Sequence, residues 1–182
     1  MPAQAVLLFE DETILRLLPV LRRAWSLCGE QALVPITGRN AKRVLFGTLN
    51  PRTGHRIVMS RPNMRQENFQ DFLRLLRHSY RGRAIWLLLD KAPSHTAPKS
   101  QALAGALNIE LIWLPKQCSE LNAVDQLWKE LQRRIAANRQ FRTIDVEADY
   151  AEHWFLGLSP RQALRKAGIL SEDFWLKRAL SK

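Results

Sequence analysis

The stretch Ala84-Ile-Trp-Leu-Leu-Leu-Asp90 decides how this chain folds, because it is an apolar run that ends in a single acid. A short apolar run of this kind predicts a strand that is buried on both faces of a sheet. A carboxylate at the end of such a strand is costly to bury unless a partner offsets its charge, and a divalent cation is the usual partner. Asp90 is therefore the first candidate metal ligand.

Two further acids occupy comparable positions on either side of this stretch. Asp11 follows the apolar run Ala5-Val-Leu-Leu-Phe9, and Asp125 lies in a helical stretch that begins after Ser119-Glu-Leu-Asn122. Side chains from neighbouring strands converge at the carboxyl ends of those strands. We therefore expect Asp11, Asp90 and Asp125 to form one acidic cluster that binds metal.

Each acid also has a simpler explanation. Glu10 and Glu12 flank Asp11, so the three can form a solvated acidic group at the end of a strand, and either neighbour can serve in place of Asp11. Asp90 can instead cap the segment that follows it, through a side-chain oxygen.

The third acid is chosen by helical geometry. A helix is expected over Leu121–Asn138, with Asp125 on the edge of its apolar stripe and Glu130 nearly opposite, facing water. The stripe comprises Leu121, Val124, Trp128, Leu131 and Ile135. Glu120 is the main competitor of Asp125, but it lies in the turn before the helix, where the helix dipole already accounts for an acid.

The remaining pattern predicts an α/β fold. Strands are expected at Val6–Phe9, Arg43–Leu49, His55–Ser60, Ala84–Leu89 and Ile109–Leu114, with the turn Asn50–Gly54 joining the second and third as a hairpin. Further helices are expected at Arg65–Tyr80, Pro98–Leu107, Ile144–Phe155 and Pro160–Ala167, the last ended by Gly168. This order predicts a mixed sheet with helices on both faces. We expect one domain over residues 1–182, with a helical extension from about residue 140 and with Trp25, Trp86, Trp113 and Trp128 in its core.

Composition indicates a polyanionic partner. The 182 residues include 28 Lys and Arg against 17 Asp and Glu, a net charge of +11, which suits nucleic acid, although it can also serve solubility alone. Cys28 and Cys118 have neither disulfide nor zinc spacing, which fits a reducing cytoplasm, and no apolar run is long enough to span a membrane.

Basic residues next to the predicted cluster are candidate DNA contacts. Lys129 and Arg133 are four residues apart on one helical face, beside the edge that carries Asp125, and Arg134 follows them. They are placed to guide a phosphate backbone towards the metal site. A solvated charged face is the competing interpretation.

Three ordered motifs resemble those of one family. Phe9-Glu-Asp-Glu12, Leu87-Leu-Leu-Asp-Lys-Ala-Pro-Ser-His95 and Leu114-Pro-Lys-Gln-Cys-Ser-Glu-Leu-Asn-Ala-Val-Asp-Gln-Leu-Trp-Lys129 resemble the three acid motifs of mariner-like DDE transposases. The likeness is greatest to the bacterial insertion-sequence branch that is called the six-thirty family. Thirty-four residues separate Asp90 from Asp125, a spacing similar to that of the superfamily.

The resemblance implies an RNase H-like, retroviral-integrase-like catalytic domain. Asp11, Asp90 and Asp125 would hold two Mg²⁺ or Mn²⁺ ions, with Glu12 and Glu120 as possible auxiliary acids. Cleavage would free 3′-hydroxyl ends of an insertion sequence, and these ends would attack target DNA, with TA as the preferred site. The resemblance further implies a homodimer on DNA, in the bacterial cytoplasm and on the nucleoid, with no membrane association. His95 is either a proton donor near the scissile phosphate or a residue that packs at a helix start.

The chain departs from the family pattern at three points. Lys91 stands where members usually have Asn, and its ammonium can compete with a metal or bind a phosphate. The third motif is Asn122-Ala-Val-Asp125 in place of Asn-Pro-hydrophobic-Glu, although the mariner group also uses Asp. The family's N-terminal helix-turn-helix region, which binds element ends, has no counterpart in this sequence.

Two other functions stay open. Another RNase H-fold nuclease, such as a ribonuclease H or a junction resolvase, would share the metal and the polyanion, but the approach Leu-Pro-x-x-x-Ser-Glu-Leu-Asn122 resembles transposases. An inert DNA-binding or interaction module derived from a transposase is the other alternative. Lys91 and the missing end-binding region keep it open.

Overall fold

The chain forms one five-stranded mixed sheet. The computed structural model describes residues 5–19, 25–31, 33, 34, 36, 38–135 and 140–180. Its strands are β1 (Val6–Arg16), β2 (Lys42–Leu49), β3 (Arg56–Arg61), β4 (Ile85–Leu89) and β5 (Ile109–Trp113). They lie in the order β3-β2-β1-β4-β5; β1 and β3 are antiparallel to β2, whereas β1 and β5 are parallel to β4. The predicted mixed sheet is confirmed.

Helices cover both faces of the sheet, as predicted. They are α1 (Gln66–Ser79), α2 (Pro93–Thr96), α3 (Pro98–Ala106), α4 (Ala123–Ile135), α5 (Ile144–Gly157), α6 (Pro160–Lys166) and α7 (Lys177–Leu180), with a 3₁₀ turn at Ser119–Leu121. One face packs against α1 and α3, and the other against α4, α5 and α6. Within the described ranges, none of these helices combines the length and the apolar character that a bilayer crossing requires.

Alternation along β1 sends neighbouring side chains to opposite faces. Val6 and Leu8 pack on the side of α1, whereas Leu7 and Phe9 pack on the side of α4 and α5. Because the strand continues without interruption through Asp11, this residue belongs to the α4 side. Its two acidic neighbours belong to the α1 side.

The prediction that β1 ends before Asp11 is wrong. The strand runs on to Arg16, because its second half pairs antiparallel with β2, with Asp11 opposite Gly47. Backbone hydrogen bonding to β2 thus overrides the polar character of this segment. The parallel pairing with β4 does end at Phe9 opposite Leu88, so Asp11 still lies just beyond the carboxyl end of the parallel pair.

The prediction that Trp25 belongs to the core is also wrong. Its side chain is fully exposed, because residues 25–31 form a loop of exposed residues between β1 and β2. Trp128 is buried as predicted, and Trp86 and Trp113 are partly buried against the two cores. Apolar neighbours in sequence indicate burial only where a regular element carries them to the sheet.

The apolar stripe of α4 is confirmed at Val124, Trp128, Leu131 and Ile135, whereas Leu121 lies in the 3₁₀ turn before the helix. The opposite face of α4 is not solvated as predicted. Glu130 is only a quarter exposed, and it accepts a hydrogen bond of 2.9 Å from the Nζ of Lys166 in α6. Sequence periodicity does not reveal this partner, because α6 reaches α4 only through the fold. The end of α6 matches the prediction, since Gly168 adopts a positive φ of 74° just after it. Residues 136–139, which the predicted helix included, lie outside the described residues.

Candidate active site

The three predicted acids line one cavity of about 390 Å³. Asp11 comes from β1, Asp90 directly follows β4, and Asp125 lies in the first turn of α4. Three separate elements therefore bring three carboxylates to one place, at the edge where the parallel strands end. We refer to Asp11, Asp90 and Asp125 as the open triad.

Asp11 is a largely buried acid of the open triad. Burial raises the pKa of its carboxyl well above the ordinary value, and the charges of Glu12 and Asp125 raise it further. Each of these causes penalises the ionised form. A cation in the cavity would offset all of them, so the electrostatics of Asp11 fit a metal ligand.

Asp90 is the most exposed acid of the open triad, with 62% of its side chain accessible. Its Oδ1 accepts hydrogen bonds from the backbone N–H of Ala92, at 2.9 Å, and from Nδ1 of His95, at 3.0 Å. The hydrogen bond from His95 is the main reason why the pKa of Asp90 lies below its ordinary value; burial opposes this effect and the Ala92 contact reinforces it. Asp90 therefore closes the turn that leads into α2 but does not cap this helix, whose N-cap residue is Ala92, and the contact occupies one oxygen only.

Asp125 is positioned by an asparagine that the sequence reasoning did not single out. Asn122 caps α4 by accepting a hydrogen bond of 3.1 Å from the N–H of Val124, and it donates one of 2.7 Å to the backbone oxygen of Glu10. This side chain therefore ties the start of α4 to β1. Lys129, one turn after Asp125, places its Nζ 2.6 Å from the Oδ2 of that acid.

A close approach of helix to sheet brings α4 beside Asp11. A Cβ on Gly47 would lie 2.4 Å from Cζ2 of Trp128, so only glycine leaves room for this ring. The ring also stacks on Phe155, with 4.6 Å between centroids. Because Gly47 pairs with Asp11 across the strands, this contact sets the height of Asp125 above the sheet.

A second acidic group lies on the other side of β1, and we refer to Glu10, Glu12 and His95 as the closed cluster. Their possible ligand atoms all lie within 4.8 Å of one another. Nε2 of His95 is 2.9 Å from Oε1 of Glu12 and 3.7 Å from Oε2 of Glu10. All three side chains are at most 4% exposed. Glu10 was considered only as a substitute for Asp11, and strand alternation is the signal that separates the two residues.

The charged groups of the closed cluster shift one another's pKa values. Burial raises the pKa of Glu10 well above its ordinary value, with a contribution from Glu12, while His95 opposes the shift. Burial would lower the pKa of His95, but Glu10, Asp90 and Glu12 outweigh it and raise the pKa to about 11. The closed cluster therefore contains its own cation, the imidazolium of His95.

The other predicted residues divide between the cavity and the surface. Lys91 lines the cavity of the open triad. Lys129 and Arg133 line an adjoining hollow of about 300 Å³, together with Asp11 and Asp125.

Two predicted residues lie apart from the cavity. Arg134 instead lies near Glu130, at 3.5 Å, and over the ring of Trp154. Glu120 is exposed on the 3₁₀ turn and does not line the cavity, although its neighbour Ser119 does.

The donor atoms of the open triad fit hard divalent cations. Carboxylate oxygens are the ligands that Mg²⁺ prefers, and Mn²⁺ accepts the same set. Three carboxylates line one cavity, and burial, together with the charges of Glu12 and Asp125, raises the pKa of Asp11, so a cation is favoured there. Sheet, flanking helices and acidic cavity together define an RNase H-like domain with an acidic centre.

Comparison with known proteins supports this class and specifies it. The chain belongs to the DDE superfamily endonuclease family, whose model matches residues 6–146. It is 27% identical over 160 residues to a 39 kDa protein of insertion element IS630 from Shigella sonnei, covering 87% of this chain and 47% of that protein. It is 32% identical over 102 residues to protein y4pE/y4sA of Sinorhizobium fredii, covering 56% of this chain and 73% of that protein.

Solved structures confirm the fold. The Mos1 transposase in its paired-end complex with the left transposon end superposes with a TM-score of 0.71 at 17% identity, over 98% of this chain and 55% of the transposase. The separate catalytic domain of Mos1 mariner transposase gives a TM-score of 0.64 at 17% identity, over 96% of this chain and 80% of that domain. The chain thus spans about half the length of the insertion-element protein and of the full transposase.

Proposed function

We propose that this chain is the catalytic domain of a DDE transposase, which cuts and joins DNA strands to move an insertion sequence. The observation that carries the proposal is the open triad, in which three acids from three elements line one cavity. Membership of the endonuclease family supports it, as does the resemblance to an insertion-element protein. Structures of Mos1 transposase with transposon-end DNA, with Mg and with Mn support the choice of substrate and metal.

The three acids of the open triad would act together in this proposal. Asp11, Asp90 and Asp125 would hold two Mg²⁺ or Mn²⁺ ions between them. When bound, the ions activate the attacking oxygen and stabilise the leaving oxygen. No covalent link between protein and DNA is needed, because water or a 3′-hydroxyl is the nucleophile.

Basic residues beside the open triad would hold the DNA backbone. Lys91 lines the cavity, and Lys129 and Arg133 line the hollow next to it, so cations flank the acids on two sides. Such contacts position a phosphodiester without reading its sequence. The net charge of +11 supplies long-range attraction for DNA.

The wider assembly follows from the same proposal. We propose that two copies pair on the ends of an insertion sequence and then engage target DNA. The proposed site of action is the nucleoid, in the bacterial cytoplasm, since DNA is the substrate.

The first test is a thermal unfolding titration with Mn²⁺ and with Mg²⁺. The intact chain, Asp90→Ala and Asp71→Ala would be compared; Asp71 pairs with Arg74 on the surface of α1 and serves as the matched control. We expect the ions to raise the melting temperature of the intact chain and of Asp71→Ala, but not that of Asp90→Ala. A rise that persists in Asp90→Ala would contradict the proposed site.

A cleavage assay separates the enzyme from an inert relative. DNA carrying candidate element ends would be incubated with the intact chain, with and without metal. Metal-dependent strand cleavage supports the transposase. DNA binding that is independent of metal, without cleavage and without metal-induced stabilisation, would favour a DNA-binding module, in which Lys129 permanently neutralises Asp125.

A further inference from the structure

His95 occupies a sealed position between the closed cluster and the open triad. It lies in α2, only 1% of its side chain is exposed, and its ring packs on Phe69 with 4.4 Å between centroids. A ring that is packed and hydrogen-bonded in this way keeps one orientation. It is therefore too enclosed to approach a scissile phosphate in this conformation, and its role must act through its neighbours.

Both ring nitrogens of His95 face oxygen acceptors. Nδ1 lies 3.0 Å from Oδ1 of Asp90 and 3.2 Å from the backbone oxygen of the same residue. Nε2 lies 2.9 Å from Oε1 of Glu12, with Glu10 as the next acid at 3.7 Å. Because carboxylates and carbonyls accept, both nitrogens donate, and the ring is held from both ends.

The consequence for Asp90 is a carboxylate with unequal oxygens. Oδ1 already receives two hydrogen bonds, from His95 and from the backbone N–H of Ala92. Oδ2 is the oxygen left for a ligand in the cavity. The orientation of this acid is thus set by a buried neighbour, whereas its own side chain is 62% exposed and would otherwise rotate freely.

We propose that His95 is a positioning residue, which holds Asp90 so that Oδ2 faces the cavity, and that Glu12 and Glu10 anchor His95 instead of binding metal themselves. This inference rests on the proposed metal site of the open triad. The function of the closed cluster is then to hold Asp90, one ligand of the open triad, in position. Groups of this kind orient metal ligands in many proteins, and their loss weakens metal binding by about 10- to 100-fold.

A metal ion inside the closed cluster is the competing explanation of the same geometry. The distance of 2.9 Å between Nε2 and Oε1 of Glu12 is that of a direct hydrogen bond. A ligating Nε2 would have to give up the hydrogen bond that it makes to Oε1 of Glu12. The experiment below separates the two explanations.

Two nearly isosteric substitutions divide the functions of the two ring nitrogens. In His95→Asn the side-chain amide lies near the position of Nδ1, so it keeps a donor for Asp90 and loses the contact with Glu12. In His95→Gln the amide reaches the position of Nε2, so it keeps a donor for Glu12 and loses the contact with Asp90. Both variants place a neutral amide in the same pocket.

The measurement is the dissociation constant for Mn²⁺, from the electron paramagnetic resonance signal of free Mn²⁺, together with the metal-free melting temperature. We expect His95→Gln to bind Mn²⁺ about 10- to 100-fold more weakly and His95→Asn to stay within about threefold of the intact chain. Phe72→Leu is the control, because Phe72 is buried on the same face and packs against Phe46 with the two rings tilted. It should lower the melting temperature without weakening Mn²⁺ binding.

Asp90→Ala, measured in parallel, distinguishes failure of the inference from failure of the site. Unchanged binding in Asp90→Ala would overturn the proposed metal site itself. Lost binding in Asp90→Ala, with His95→Gln binding as well as His95→Asn, would overturn only the positioning role. Binding that survives in Asp90→Ala but is lost in both His95 variants would place the ion in the closed cluster and overturn both proposals.

Discussion

The two sides of β1 handle buried acids in opposite ways. On the α4 side, Asp11 joins the open triad, which lines a cavity that communicates with solvent. On the α1 side, Glu10 and Glu12 are sealed with His95. Neighbouring residues of one strand thus belong to two acidic groups, one beside exposed lysines and one that contains a buried imidazolium.

The difference between the two sides indicates where a cation can bind. A buried carboxylate needs a counter-charge, and a group that already holds an imidazolium has little need of an ion from solvent. The cations beside the open triad are exposed lysines: Lys129 is half exposed and reaches Asp125 from the surface, and Lys91 and Lys116 line the cavity. An exposed ammonium is displaced far more easily than a buried ring, so the open triad is the side that can exchange one cation for another.

The largest expected effect removes the acids of the open triad one at a time. Asp11→Ala, Asp90→Ala and Asp125→Ala should each reduce metal-dependent DNA cleavage by about 10³-fold or more, because each removes a metal ligand, and each should leave the fold intact. Cleavage assays and circular dichroism would check both parts. Glu120→Ala is the control and should remain active; full activity of Asp125→Ala would move the third ligand to Glu120 or overturn the site.

Substitution of Gly47 should separate the acids of the open triad without replacing any of them. Gly47→Ala should destabilise the fold by about 1–3 kcal/mol and weaken Mn²⁺ binding, because the new Cβ pushes Trp128, and with it Asp125, away from Asp11. Chemical denaturation and Mn²⁺ titration would measure the two effects. Gly105→Ala in α3 is the control, since nothing lies within 4 Å of its new Cβ. It should be neutral or slightly stabilising, and an equal loss in both variants would argue against the close approach as the cause.

Asp11→Asn tests whether the open triad lacks a counter-charge when metal is absent. The folded-state pKa of Asp11 is raised, by burial first and then by Glu12 and Asp125, so ionisation costs stability as the pH rises above the ordinary value of 3.8. We therefore expect metal-free Asp11→Asn to melt a few degrees higher than the intact chain at neutral pH, with the gap closing as the pH falls towards 4.

Added Mn²⁺ should reverse this order, because it stabilises only the intact chain. The check is a set of melting curves across pH with chelator and with Mn²⁺. A lower melting temperature for metal-free Asp11→Asn at neutral pH would show that protein groups already neutralise the open triad. The two sides of β1 would then not differ in their need for a cation.

The smallest expected effect concerns another buried acid, Glu147 in α5. Burial alone raises its pKa from 4.5 to about 7. A raised folded-state pKa means that the stability present below pH 4.5 is lost as the pH rises towards 7. Glu147→Gln should therefore flatten the pH dependence of the melting temperature between these values and raise the melting temperature slightly at pH 8. Glu172→Gln, at an exposed position, should leave the profile unchanged; a flattened profile there would remove the link to burial.

Most of the correct structural predictions depended on local sequence patterns. The apolar stripe of α4, the turn at Asn50–Gly54 and the strand before Asp90 all depend on residues that are close in sequence, so periodicity and turn chemistry were enough to place them. The order of the three acid motifs then indicated the family. The start and end of most elements were predicted to within two residues for the same reason.

Long-range pairing accounts for what was missed. The early end assigned to β1 was wrong because β2, which extends the strand, lies 26 residues beyond it in the chain. The burial of Trp25 and the solvation of Glu130 were wrong because both depend on which element packs nearby. The contact between Asn122 and Glu10 was not predicted because it joins residues that are 112 positions apart.

The sequence by itself determined that three acids follow or enter elements whose ends can converge, since strand and helix periodicities are local properties of the chain. Only the tertiary structure decided that Asp11 faces a cavity while Glu10 and Glu12 face a buried histidine. That choice depends on the continuation of β1 through its pairing with β2 and on the placement of α2 and α4 on opposite faces of the sheet. The sequence determines which side chains of a strand alternate between the two faces of the sheet, but packing decides which element covers each face.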